Sequence, residues 1–136
     1  MNSAFQDSLN DLKDIFIIFD DPIDKFSQII DMGKKSNGLS DKEKCDSNKI
    51  IGCSSLSWVI TEVYHKWILL IKTDSEALIV KGLLSILEFV INGKKKELIH
   101  EIDAQDILGN INLNRSLTSQ RTNGFISAIN KIREQI

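Results

Sequence analysis

The chain has 136 residues, 42% of them hydrophobic and a single one proline, which suits one domain over residues 1–136 with a sizeable core and excludes default disorder. Seventeen basic side chains against 19 acidic ones leave a formal charge of −2, which excludes the basic footprint of a nucleic-acid binder. The acidic N-terminus MNSAFQDSLNDLKDIFIIFDD lacks a signal or transit pattern, and no apolar run is long enough to span a bilayer. A cytoplasmic or otherwise reducing setting is expected, where two cysteines read as free thiols before they read as a disulfide.

Phe5, Leu9, Leu12, Phe16 and Phe19 recur at steps of four and three, the spacing of one face of a first amphipathic helix. Asp21 followed by Pro22 reads as an N-cap and first helical residue of a second helix, with Asp24 in its first turn, Ile23, Phe26 and Ile30 facing inward and Gly33 as its stop. The run KKSNGLSDKEKCDS, residues 34–47, is polar and without periodicity. It predicts a loop that carries Cys45 and leads to a short strand starting at Asn48. SLSWVITEVYHKWILLIK is rich in β-branched and aromatic residues, and the break at Tyr64-His65-Lys66 divides it into two strands of a hairpin that lacks Asn-Gly turn chemistry.

Thr73 with Glu76 offers a capping box, and Asp74 or Ser75 a simpler cap, for a strongly apolar central helix. Leu78, Val80, Leu83, Leu84, Leu87, Val90 and Ile91 fill that helix, which ends near Asn92-Gly93. Gly82 inside it costs about 1 kcal/mol against alanine, so close backbone packing is expected there. A polar stretch over Lys94–Lys96 precedes a shorter helix through Leu98, Ile99 and Ile102. A last helix begins near Ser119, with Phe125, Ile129, Ile132 and Ile136 on one face. Helices, then strands, then helices give an α+β class: a small antiparallel sheet of about three strands packed against several helices.

Cys53 follows Gly52 at the point where polar loop becomes apolar strand. Glycine removes bulk beside the sulfur and tolerates unusual dihedrals, so the thiol has two readings: a presented nucleophile, or a small buried hydrophobe. A metal site from Cys45, Cys53, His65 and His100 is disfavoured, because no Cys-x-x-Cys or close histidine pair supplies a half-site. His65 in a turn and His100 beside a glutamate read as solvated residues. No glycine-rich phosphate loop or oxyanion-type cluster accompanies Cys53.

Asn48, Ile50, Gly52, Cys53, Ser55 and Trp58, in the run NKIIGCSSLSW, resemble the signature of SufE-type cysteine-desulfuration proteins. TDSEALIVKGLLSIL, from Thr73, and LTSQRTNGF, from Leu117, resemble two further blocks of that family in the same order, so the resemblance spans roughly residues 10–134. Ser57 and Ile51 depart from the usual pattern. The resemblance implies a SufE/IscU-like fold and a sulfurtransferase-like accessory protein, not a complete enzyme alone, with Cys53 bearing a persulfide. It implies Arg121 as the residue that assists the thiol, and Gly52, Ser55 and Asp74 as candidates for partner docking. Lys81 and Gly82 lie in the same matched block as Asp74.

The implied partners are a SufS-type cysteine desulfurase and a SufB-containing cluster-assembly scaffold. No metal and no cofactor of its own is implied, since pyridoxal phosphate sits on the desulfurase. Such a carrier is expected to be a monomer or weak homodimer, with Cys53 sheltered between exchanges and swung out on docking. Two other expectations remain beside it: a docking module without thiol chemistry, and a redox sensor using a Cys45–Cys53 disulfide, which needs α-carbons within about 7 Å.

Overall fold

The computed structural model describes residues 3–136; Met1 and Asn2 of the acidic N-terminal stretch lie outside the described residues. Helix α1, Ser3–Phe16, turns Phe5, Leu9, Leu12 and Phe16 into the core as the spacing predicts. Phe19 lies beyond the helix end and joins this face through packing, its ring edge-on to Phe16 at 6.4 Å. Helix α2, Pro22–Lys35, starts as expected, with the Asp21 carboxylate accepting from the Ile23 N–H at 2.9 Å. It runs on past Gly33 and is rotated in part from the expected face: Lys25, Ile29 and Gly33 are buried, Phe26 and Ile30 are half-buried with Phe26 packed on the core, and Ile23 is 69% exposed.

The cause of that rotation is a close approach to helix α3, Leu78–Ile91. A Cβ on Gly82 would stand 1.9 Å from the Ile29 carbonyl oxygen, and one on Gly33 would stand 2.6 Å from that of Leu78. Two glycines thus let the helix backbones touch, and their contact, rather than the bulkiest side chains, sets which way α2 faces. The close packing expected at Gly82 is present. Helix α3 is also central as expected, with Leu83, Leu84, Leu87, Val90 and Ile91 buried along with Ile86, although Leu78 is 44% exposed.

Strands β1, Ser57–Tyr64, and β2, Ile68–Ser75, form the expected hairpin, paired from Ser57↔Ser75 to Tyr64↔Ile68. His65 and Lys66 both have positive φ, 51° and 70°, and Trp67 N donates to Tyr64 O at 3.1 Å. Two left-handed residues are what a turn matched to the strand twist requires, here supplied without Asn-Gly. The sheet is completed by β3, Lys94–Lys95, antiparallel to β2 in the order β1-β2-β3.

Strand β3 replaces the short strand expected at Asn48. Asp46–Asn48 instead forms a 3-10 turn, followed by a lone bridge between Lys49 and Trp58. Gly93, with φ 81°, reverses the chain after α3 and brings its N–H to the Leu69 carbonyl at 3.0 Å. Two residues are too few to show a strand periodicity, so Lys94–Lys96 reads as plain polar sequence.

The capping box expected at Thr73 and Glu76 does not form, because β2 continues through Ser75 and takes Thr73 and Asp74 into the sheet. Helix α3 starts after Ala77 with no side-chain cap; the Ser75 hydroxyl accepts from Ala77 N at 3.2 Å nearby. Leu98 and Ile99 sit in a 3-10 segment, Lys96–His100, rather than an α-helix. Helix α4, Ala104–Asn110, capped by Asp103, follows it and escaped the sequence pattern through its brevity. Helix α5, Ser119–Gln135, capped by Thr118, buries Phe125, Ile129 and Ile132 as expected, while Ile136 is 40% exposed. The Arg133 guanidinium donates to the Ile99 and Ile102 carbonyls at 2.8 and 2.9 Å, fixing α5 to the 3-10 segment. The result is the α+β arrangement read from the sequence, with one hydrophobic cluster drawing on the helices and on β1 and β2.

Candidate functional site

Cys53 sits in the loop between the Lys49 bridge and β1, half-buried, with its Sγ directed at the Gly124 carbonyl of α5 at 3.7 Å. Ser54, Val80, Leu83, Leu84, Phe125 and the α5 residues Gln120, Arg121 and Gly124 complete a recess around it. Two glycines shape this place. Gly52 has φ 102°, which other residues rarely adopt, and a Cβ there would meet the Ser127 hydroxyl at 2.6 Å. A Cβ on Gly124 would come within 3.1 Å of the Cys53 sulfur. The free volume beside the thiol is about 20 Å³, room for one water-sized atom.

Burial pushes the Cys53 thiol pKa up, and a hydrogen bond from Ser57 offsets only part of this. Ser57, which departs from the family pattern, is fully buried and hydrogen-bonded to Ser75 Oγ at 2.9 Å and to the Ser55 carbonyl at 3.0 Å. Arg121 lines the same recess, so the fold brings together the cysteine and arginine named from the sequence. Its side chain is exposed, its backbone N–H donates to the Thr118 cap at 3.3 Å, and its guanidinium is unpaired among the described residues. Arg121 thus adds a cation to the lining of the recess, while burial governs the thiol held inside.

Ser55 is half-buried beside Cys53 and exposed Ser54. Asp74 stands elsewhere and is only 5% exposed. Its carboxylate accepts from Leu39 N at 2.9 Å and Ser75 N at 2.8 Å, and pairs with Lys44 at 3.3 Å and Lys81 at 3.7 Å. Such a buried group has no face to offer a partner directly; it holds the 38–44 loop against β2 and α3. Burial raises the Asp74 pKa, but the Leu39 and Ser75 N–H groups, Lys44 and the Lys81 charge outweigh it and hold the carboxyl below the usual range.

Cys45 is exposed and makes contacts unlike those of Cys53: Ser47 Oγ at 3.1 Å and the Asn48 amide at 3.3 Å. The Ser47 hydroxyl first, and then the backbone N–H groups of Asn48 and Ser47, lower its thiol pKa. Both cysteines are free. His65 and His100 are exposed, and no group of three potential metal ligands converges among the described residues. A roomier polar cleft of about 640 Å³, between α2, β2 and α3, contains no thiol.

Sequence reasoning missed Gly124 as a wall of the sulfur recess, along with Val80, Leu83 and Leu84. The signal for Gly124 was present: a glycine inside a helix costs about 1 kcal/mol and asks for a reason, as Gly82 does.

Residues 10–136 match the SufE family, described as an Fe-S metabolism associated domain. An uncharacterized SufE-like protein of Rhizobium etli is 34% identical over 134 residues, covering 96% of this chain and 90% of its own. A second, from Rhizobium meliloti, is 34% identical over 131 residues, covering 94% of each. The solution structure of a hypothetical protein from Thermus thermophilus shares the fold, with a TM-score of 0.75, 15% identity and coverage of 94% of this chain and 92% of that one. With its fold, its Gly-Cys loop and these matches in agreement, the chain belongs to the SufE family of domains associated with iron–sulfur metabolism.

Proposed function

We propose that this chain is the sulfur acceptor of iron–sulfur cluster assembly, taking sulfane sulfur as a persulfide on Cys53 and passing it on. The observation that carries the reading is the recess itself: a half-buried thiol on a glycine-hinged loop, with room beside it for one more atom. The donor is the persulfide of a SufS-type cysteine desulfurase, whose pyridoxal phosphate performs the carbon–sulfur cleavage. Cys53 as thiolate attacks the terminal sulfur of that persulfide. A new S–S bond forms at Cys53, the donor's S–S bond breaks, and the donor cysteine leaves as a thiolate.

In the recess the raised pKa keeps Cys53 protonated and slow. Docking draws the loop outward, where hydration and the Arg121 charge favour the thiolate. Return to the recess shields the loaded sulfur from reductants until a SufB-containing scaffold accepts it. The cytoplasm is the compartment that suits two unbridged thiols.

The test is mass spectrometry of the chain after incubation with desulfurase, pyridoxal phosphate and cysteine. A reductant-reversible gain of about 32 Da confined to the Cys53 peptide is expected, and Cys53→Ser should remove it together with any stimulation of the desulfurase. Stimulation that survives the substitution, or a gain borne by Cys45, would overturn the reading.

A further inference from the structure

Loss of its proton leaves the Cys53 sulfur badly matched to the recess. As a thiol, Sγ has the Gly124 carbonyl oxygen at 3.7 Å to donate to. As a thiolate it faces that same oxygen with no proton between them, and Val80, Leu83, Leu84 and Phe125 make the nearby wall apolar. An anion in such surroundings needs a hydrogen-bond donor.

Ser57, the first residue of β1, supplies one. Its side chain is fully buried, and a hydrogen bond from it already opposes the effect of burial on the Cys53 thiol. The hydroxyl has a single proton and two oxygens placed to take it, the Ser55 carbonyl at 3.0 Å and Ser75 Oγ at 2.9 Å. Ser75 does not depend on that proton: its Oγ accepts from the Ala77 N–H at 3.2 Å, and its own proton has the Leu56 carbonyl at 3.2 Å. A thiol sulfur is a weak acceptor, so the oxygens hold the Ser57 proton in the resting state; a thiolate is a charged acceptor and outcompetes them. Pairing of Ser57 with Ser75 in the sheet keeps the donor's backbone in place while its hydroxyl turns.

We propose that Ser57 is a thiolate-stabilising residue of this site, its hydroxyl turning from the Ser55 and Ser75 oxygens to the Cys53 sulfur as the thiol ionises. The inference rests on the reading of Cys53 as the sulfur-accepting thiol and adds a role at each end of the transfer. When sulfur is taken up, the donor raises the fraction of Cys53 present as thiolate. When the terminal sulfur is passed on, the S–S bond at Cys53 breaks with its electron pair left on the Cys53 sulfur, and the same donor eases that departure. Ser57 keeps its proton in both steps.

Valine and threonine are both β-branched and differ in the hydroxyl, so Ser57→Val against Ser57→Thr separates the proton from packing. Iodoacetamide labelling of Cys53 is followed against pH by peptide mass spectrometry, with Cys45 in the same chain as the internal reference. S57T should keep the wild-type profile. S57V should label Cys53 about fivefold more slowly near neutrality and reach the same plateau only at higher pH, with the Cys45 profile unmoved. Ser75→Ala, which removes a competing acceptor and leaves the Ser57 proton, should not slow labelling of Cys53. Equal profiles for S57V and S57T, or equal slowing in S75A, would assign Ser57 to packing and overturn the proposal. Should the added bulk unfold both variants, Ser57→Ala against the wild type takes their place, with S75A as its control. Sulfur loading of wild-type Cys53 by the desulfurase is measured separately: its absence would overturn the carrier reading, whereas the pH profiles decide the role of Ser57.

Discussion

Two thiols in one short chain differ in environment enough to behave as different reagents. Cys45 is exposed, with its pKa lowered by the Ser47 hydrogen bond, whereas Cys53 is half-buried with its pKa raised. Iodoacetamide at neutral pH should therefore label Cys45 first. The rate at Cys53 should climb to a plateau only at a higher pH than at Cys45, because the thiolate is the reacting form; peptide mass spectrometry resolves the two. Gly124→Ala places a methyl 3.1 Å from the sulfur, too tight for the thiol to stay where it is, and should speed labelling of Cys53 and shorten the life of a persulfide formed there. Unchanged labelling in G124A would mean that the recess does not control access. The importance of Cys53 was legible from Gly52-Cys53 at a loop-to-strand boundary and from the surrounding blocks. The place of Gly124 was not, since its partner sulfur lies 71 residues away and only the folded chain reveals the contact.

At the scale of elements, periodicity identified α1, the hairpin, α3 and α5 because each is long enough to show a repeat against its core. Helix α2 shows the limit: its start was legible from Asp21-Pro22, but its facing was decided by Gly33 and Gly82, residues without side chains to read. The same blindness hid β3, which is two residues long, and the missing cap of α3, where tertiary pairing drew Thr73 and Asp74 into β2. The α2–α3 contact has a direct test. Gly82→Ala gains helix propensity of about 1 kcal/mol, but its methyl would stand 1.9 Å from the Ile29 carbonyl oxygen, and backbone cannot yield as a flexible side chain does. Overpacking should dominate, with a net loss of about 2 kcal/mol and a fall in Tm on the order of 5–10 °C. A Tm equal to or above that of the wild type would show that the helices separate easily and that the approach does not hold α2 in place.

Across the whole molecule, Asp74 joins segments that the sequence order keeps apart. From β2 it reaches the Leu39 amide and Lys44 in the long loop, and Lys81 in α3, while Lys44 also lies 5.5 Å from the Trp58 ring of β1. That loop leads on to Cys53, so the hub fixes the path by which the chain arrives at the sulfur site. Its carboxyl pKa is lowered in the folded state. The stabilisation is therefore fully present above the ordinary carboxylate range, about 3.9, and is lost as pH falls through the lower folded value. Glu88, facing Asp74 from α3 and accepting from Thr73 N at 2.9 Å, has a pKa raised chiefly by burial and so contributes with the opposite sign. Asp74→Asn removes the charge while keeping the shape; it should cost about 2 kcal/mol near neutrality by leaving buried donors poorly matched. The gap to the wild type should begin to close as pH falls past about 3.9, where the unfolded carboxyl takes up its proton, and vanish below the lower folded value, where the native carboxyl is protonated too. Urea melts of both proteins across that range, with hydrogen exchange at the Leu39 amide, test the hub: a gap independent of pH would assign the loss to packing, and full protection of Leu39 in D74N would separate the loop from Asp74.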